Sequence, residues 1–214
     1  MKNSKLINKR EGIVFILSAP SGTGKTTVIS GLLERFPEIY LSVSYTTRAP
    51  RAGEVPGRDY HFISRRKFLA MKDKGEFAES ASVHDFFYGT PRRTLDRSVG
   101  NGRDFFLDID VQGARQIKRK YPKAVSIFLL PPSWNELKRR LGARATDNKD
   151  IIRRRLANAR REIQDVIHYD YYIVNCDIKD AIETLEAIIL AERQKISRVK
   201  GWGIAPLRRQ AKNS

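Results

Sequence analysis

The chain has 214 residues, 41% of them hydrophobic, so one domain with or without insertions and a real core are expected. Lys and Arg number 41 against 24 Asp and Glu, and the net charge of +17 points to polyanionic partners such as nucleotides, nucleic acids or acidic surfaces. No apolar run reaches the roughly 18 residues of a membrane span, the basic N-terminus lacks a signal-peptide core, and the single cysteine, Cys176, excludes an internal disulfide; a reduced, cytoplasmic setting is expected.

In chain order, the apolar run Ile13–Leu17 predicts a buried strand, and Thr26–Glu34 a helix. Between about Leu41 and Asp96 the sequence turns rich in Gly, Pro, Arg and aromatics. Short strand-like pieces ("SVSYTT", "DYHFI") and a helix over Arg65–Lys74 are expected there, and the whole reads as an inserted subdomain. Strands at Phe105–Val111, Ala124–Leu130 and Tyr171–Val174 alternate with helices at Gln112–Lys120, Trp134–Leu141, Ile151–Val166 and Lys179–Arg198. The last helix carries Ile182, Leu185, Ile189 and Ile196 near helical spacing. A polar stretch, Gly142–Asp150, reads as a second, smaller insertion, and the basic tail is expected to fray. Strands separated by helices imply a parallel sheet with helices on both faces.

The first strand runs directly into "SAPSGTGKTT", Ser18–Thr27. From position 19 this fits the phosphate-binding pattern G-x-x-x-x-G-K-[ST], with Ala19 where the first glycine is usual. Successive N–H groups in such a loop form an anion nest, and the following helix adds its positive end. Lys25 can reach β- and γ-phosphates, and the Thr26 hydroxyl can ligate Mg²⁺. Alanine tolerates positive φ poorly, so Ala19 is expected at negative φ.

The run Thr46, Thr47, Arg48, then Arg51, Glu54, Gly57, Tyr60 and Phe62, together with "GEFAES", "FFYGT" and "LDIDVQG", resembles the guanylate kinase signature, over about residues 11–195. The resemblance implies an α/β fold: a P-loop NTPase-type parallel sheet core with helices on both faces, an inserted GMP-binding subdomain and a small lid. The expected division is core at 1–43, 96–135 and 158–198, GMP-binding subdomain at 44–95, lid at 136–157 and a flexible basic tail at 199–214. The implied reaction is ATP + GMP → ADP + GDP, with Mg²⁺ as cofactor and ATP as co-substrate. The ATP-binding residues are then Ala19, Pro20, Ser21, Gly22, Thr23, Gly24, Lys25, Thr26 and Thr27, with Asn175 near the adenine.

Arg48 and Arg51, three apart on a turn, can grip a phosphomonoester with planar forks, and Tyr60 and Tyr88 can donate to it. The resemblance puts Glu79 against the guanine N1–H and 2-amino group, with Ser44 and Thr90 at the remaining edge. Without it, Glu79 reads as a surface glutamate at a charged helix end. Asp108 and Asp110 fall on one face of a predicted strand. Asp108 can hold Mg²⁺ or its waters; the resemblance places Asp110 near guanine or metal, or else the pair caps the next helix. The resemblance turns Arg140, Arg144 and Arg155 inward when the lid closes, to stabilise charge on the transferring phosphoryl group. Cys176 reads as a small buried filler, and His61, His84 and His168 as structural. Two other readings are open. Some guanylate-kinase-like scaffold domains bind peptides, but usually without an intact phosphate loop; the charge admits weak RNA attraction, without the basic-aromatic interleaving of a specific nucleic-acid fold. The expected partners are ATP and GMP, with no membrane and no specific nucleic acid; a homo-oligomer is compatible with the sequence.

Overall fold

The computed structural model describes residues 10–83, 85–143 and 149–198. Arg144, His84 and the basic tail from residue 199 lie outside them. In chain order the elements are β1 (Val14–Ser18), α1 (Lys25–Arg35), β2 (Tyr40–Leu41), β3 (Tyr45–Thr46), β4 (His61–Phe62), α2 (Arg65–Asp73), β5 (Phe77–Val83), β6 (Phe86–Pro91) and α3 (Arg92–Gly100). There follow β7 (Phe105–Asp108), α4 (Val111–Lys120), β8 (Val125–Leu130), α5 (Trp134–Gly142), α6 (Lys149–Gln164), β9 (Tyr171–Val174) and α7 (Ile178–Arg193), with 3-10 turns at Asp165–His168 and Ile196–Arg198.

The larger sheet has the order β2-β7-β1-β8-β9, every pairing parallel. All five residues of central β1 are buried, as the unbroken apolar run requires of a strand covered on both faces. On one face Phe15, Leu17 and Phe106 pack with Val28 and Leu32 of α1 and Leu185 and Ile189 of α7. On the other, Val14, Ile16 and Leu107 pack with Leu95 of α3 and Ala114 and Ile117 of α4. Helices thus cover both faces. Among the described residues no helix is long and apolar enough to cross a membrane.

A second sheet, order β4-β3-β6-β5, is built from residues 45–91, within the stretch where strand–helix alternation fails. Its β3–β4 pair is parallel and its other pairings antiparallel. The hairpin β5–β6 and helix α3 are more order than the sequence reading assigned to this stretch. Strand β7 ends at Asp108, short of the predicted Val111, because Asp110 takes the N-cap of α4: its Oδ1 accepts the Gly113 N–H at 2.9 Å. Helix α7 ends at Arg193, and Ile196, expected on its apolar stripe, is 83% exposed on the turn beyond. Helix α6 stops at Gln164, where a 3-10 turn takes over.

Away from the loops that follow β1 and β7, the buried carboxylate of Asp104 ties three parts of the chain together. It accepts from Arg10 Nη2 at 2.9 Å, the Ile13 N–H at 2.8 Å and Arg193 Nε at 2.7 Å. Burial pushes its carboxyl up, but these partners hold it below the usual range.

Candidate active site

The phosphate-loop pattern forms the turn between β1 and α1. Gly22 and Gly24 take φ of 88° and 95°, the left-handed region that favours glycine. Asp85 is the one non-glycine residue at positive φ among the described residues, so Ala19 keeps the negative φ expected of it. Gly24 is also the N-cap of α1, and no side chain caps that helix, so its first-turn N–H groups are left for a ligand. The loop is braced from within and behind. Thr23 is buried, with its hydroxyl on the Pro20 carbonyl at 2.7 Å; its own carbonyl accepts from Asn175 Nδ2 at 2.7 Å and Arg140 Nη1 at 3.3 Å.

Asn175, expected beside the adenine, is therefore buried behind the loop, 3% exposed, and does not line the cleft. Its neighbour Cys176 is exposed, which corrects the reading of a buried filler: the in-out alternation of β9 carries on past its end at Val174, so the residue after buried Asn175 faces out.

A cleft of about 440 Å³ opens in front of the loop. One wall is Ala19–Thr27; the other is Ser44, Arg51, Tyr60, Glu79 and Tyr88 from the smaller sheet and its turns. Asp108, Asp110 and Glu162 close the remaining side. Lys25 Nζ is ion-paired with Asp108 Oδ1. Burial pushes the Asp110 carboxyl up, against the Gly113 N–H and Lys25.

Glu79 does not lie at a charged helix end. It sits on β5, 2% exposed, just after a bulge at Ala78 where the β5–β6 register shifts. Its Oε1 accepts the Thr90 N–H at 3.0 Å and the Thr90 hydroxyl at 2.7 Å. Thr90, fully buried, thus braces Glu79 and does not line the cleft. Burial pushes the Glu79 carboxyl up to about 7, opposed by Thr90 and helped by the charge of Asp110.

Tyr60 and Tyr88 meet edge-on at 5.9 Å, and burial pushes the Tyr60 hydroxyl up to about 12, so it stays a donor. Arg48, 9% exposed, lies behind them rather than in the main cleft. Its fork donates to Glu54 Oε1 at 2.7 Å and the Ala49 carbonyl at 2.7 Å, with its guanidinium 5.5 Å from the Tyr60 ring centre. The Glu54 carboxylate also accepts the Arg51 N–H at 2.7 Å, which closes the turn. Arg48, Arg51 and Tyr88 line an adjoining cavity of about 230 Å³ with Arg154 and Arg155 from α6. Arg140 on α5 is paired with Glu136 at 2.7 Å.

Two participants were given no role by the sequence reading, although Glu54 stands in the signature run. Glu54 carries no visible role until its distance to Arg48 is known. Glu162 hides among charges, yet it stands one helical turn after buried Ala159, on the inward stripe of α6. Burial and the Asp110 charge push its carboxyl up, while Lys25 pulls it down.

The model of the family described as guanylate kinase matches residues 11–192. The chain belongs to the guanylate kinase family. It is 53% identical to the guanylate kinase of Geobacter metallireducens over 191 residues, 89% of this chain and 94% of that one. With the guanylate kinase of Aromatoleum aromaticum it shares 50% over 182 residues, 85% and 89% of the two chains. The crystal structure of guanylate kinase from Anaplasma phagocytophilum superposes with a TM-score of 0.78 at 38% identity, covering 96% of both chains. In this chain the loop follows β1, the central strand of the parallel sheet.

Proposed function

We infer that the chain transfers the γ-phosphoryl group of ATP to GMP, giving ADP and GDP. One observation carries the reading: a single cleft has the phosphate loop as one wall and a tyrosine–arginine–glutamate wall opposite. Family membership and the named relatives support it.

The loop N–H groups and Lys25 take the phosphates of ATP. Arg51, Tyr60 and Tyr88, backed by Arg48, grip the phosphate of GMP, whose near-double negative charge suits that clasp. Glu79 accepts from guanine N1–H and its 2-amino group; Ser44 serves the remaining edge. Adenine has an acceptor at N1 and meets a carboxylate lone pair there. The attacking atom is an ionised phosphate oxygen, so no general base is needed, and positioning with charge stabilisation is the whole task.

The donor set suits Mg²⁺, which binds through one or two carboxylates and substrate phosphates. The Thr26 hydroxyl and the Asp108 carboxylate are the residues that would hold it, and the ion supplies charge neutralisation on the phosphates. Asp110 caps α4 and shapes the guanine side. Residues 44–95 act as the GMP-binding subdomain on a core of 1–43, 96–135 and 158–198. Residues 136–157 act as a lid that brings Arg140, Arg144 and Arg155 towards the reacting phosphoryl group and excludes water. The partners are ATP and GMP, without specific nucleic-acid binding. The reaction draws on nucleotide pools, and the cytoplasm is its setting.

The test is a coupled assay with ATP, Mg²⁺ and each of GMP, AMP, UMP and CMP. GMP is expected to be used about 10⁴-fold more efficiently than AMP. Equal use of AMP, UMP or CMP would overturn the reading.

A further inference from the structure

Strand β5 is an outer strand of the smaller sheet: β6 pairs with one edge and, among the described residues, no strand lies along the other. An open edge presents unpaired main-chain N–H and C=O groups that need partners. Side chains of α4 supply them. Gln116 Nε2 donates to the Ser80 carbonyl at 2.8 Å, and Gln116 Oε1 accepts the Ser80 N–H at 3.2 Å. Lys120 Nζ donates to the Ala78 carbonyl at 2.6 Å, and Gln112 Nε2 reaches the Ser82 carbonyl at 3.5 Å.

These three side chains are four residues apart on the helix and meet strand residues two apart, in opposite order. Four helical residues rise about 6 Å, and two strand residues about 6.7 Å. The spacings agree closely enough for α4 to lie along the edge like a ruler. Glu79 hangs between the Ala78 and Ser80 rungs, with its carboxylate turned back to the helix. A Cβ on Gly113 would stand 2.7 Å from Glu79 Oε2, so the missing side chain there is what makes room. The helix itself is rooted beside the cleft through its N-cap, Asp110.

We propose that Gln116, with Lys120 and Gly113, is a positioning element for acceptor specificity: α4 sets where the Glu79 carboxylate stands relative to the phosphate loop, and so which purine edge the cleft accepts. This rests on the reading that Glu79 receives the base. Gln116 does not line the cleft, so its influence passes through β5. A carboxylate shifted by a fraction of an ångström loses part of a paired hydrogen bond, and a 1 Å error can cost about 10²-fold.

The experiment compares GMP with inosine monophosphate, which lacks the 2-amino group, in the wild type, Gln116→Leu, Glu79→Gln and the double variant. Gln116→Leu is expected to lower the GMP-over-IMP ratio of kcat/KM about tenfold through KM, with KM for ATP and kcat at saturating GMP unchanged. Glu79→Gln lowers the ratio further, and adding Gln116→Leu to it changes nothing more, because the two act as one unit. A merely structural role for Gln116 would lower activity on both acceptors alike and leave the ratio fixed. The proposal is overturned by an unchanged ratio in Gln116→Leu, or by an equal further fall in the Glu79→Gln background. A wild-type ratio in Glu79→Gln itself refutes the base reading, and the proposal with it, by a separate arm. Should Gln116→Leu fail to fold, Lys120→Met reads the same ratio through the Ala78 rung, and no change there overturns the proposal.

Discussion

In the proposed role Glu79 must be ionised to accept two hydrogen bonds from guanine, yet burial pushes its carboxyl up to about 7 from an ordinary 4.5. At pH 6 only about one-tenth of the ligand-free protein then carries the competent form, and apparent GMP affinity falls by about tenfold against pH 8. The GMP phosphate itself titrates near pH 6 and adds about another twofold. Titration calorimetry at pH 6, 7 and 8 is expected to give about a twentyfold weakening in the wild type and about twofold in Glu79→Gln. Binding at pH 6 should also release about 1.4 protons, about 0.9 from Glu79 and about 0.5 from the GMP phosphate, and only about 0.5 in Glu79→Gln. Stability moves the other way. Between about pH 4.5 and 7 the native state binds the proton that the unfolded state has lost, so unfolding free energy falls as pH rises, by about 3 kcal/mol over the window. Thermal melts of Glu79→Gln should lack that slope. Equal wild-type affinity at pH 6 and pH 8, or a wild-type slope in Glu79→Gln, would refute the reasoning.

Lys25→Met is expected to cut turnover about 10³-fold with an unchanged circular dichroism spectrum; wild-type turnover in that variant contradicts the proposed chemistry. Asn175→Ala removes the donor that holds the Thr23 carbonyl, and should raise KM for ATP several-fold and cost about 1–2 kcal/mol, with KM for GMP unchanged. An unaltered KM for ATP would dismiss its bracing role. Asp104→Asn strips a buried charge from Arg10 and Arg193 and should cost roughly 3 kcal/mol, about 6–12 °C in melting temperature, without changing either KM. Its contribution is present above the unfolded carboxyl value near 3.8 and fades as pH falls through the lower folded value, so the penalty should shrink in strong acid.

The core was legible because its signals are local. An unbroken apolar run as short as β1, stopped by Pro20 and Gly22, is too short for a buried helix and reads as a doubly covered strand, and Gly24, Lys25 and Thr26 follow at fixed offsets. The β5–β6 hairpin was not, for equally physical reasons. Phe77–Val83 is mostly Ala, Ser and Glu, poor strand formers, and the bulge at Ala78 breaks the alternation that would reveal a strand. Family resemblance singled out Glu79, but its burial and its pairing with Thr90, eleven residues on, depend on a cross-strand neighbour that no window of sequence displays. Asn175 and Arg140 likewise serve the loop from more than a hundred residues away. Asp110 was ambiguous because a strand-end carboxylate and an N-cap look the same until the helix start is fixed.

The Asp104 knot has a spatial corollary. Strands in the larger sheet all run one way, so the knot that fastens Arg10 and Arg193 sits at the rim where they begin, and the phosphate cradle sits at the rim where they finish. The two are separated by the length of a strand, about 17 Å for five residues. The knot therefore fastens residues 10 and 193 to the sheet at the rim opposite the phosphate cradle, and none of its partners reaches the cleft.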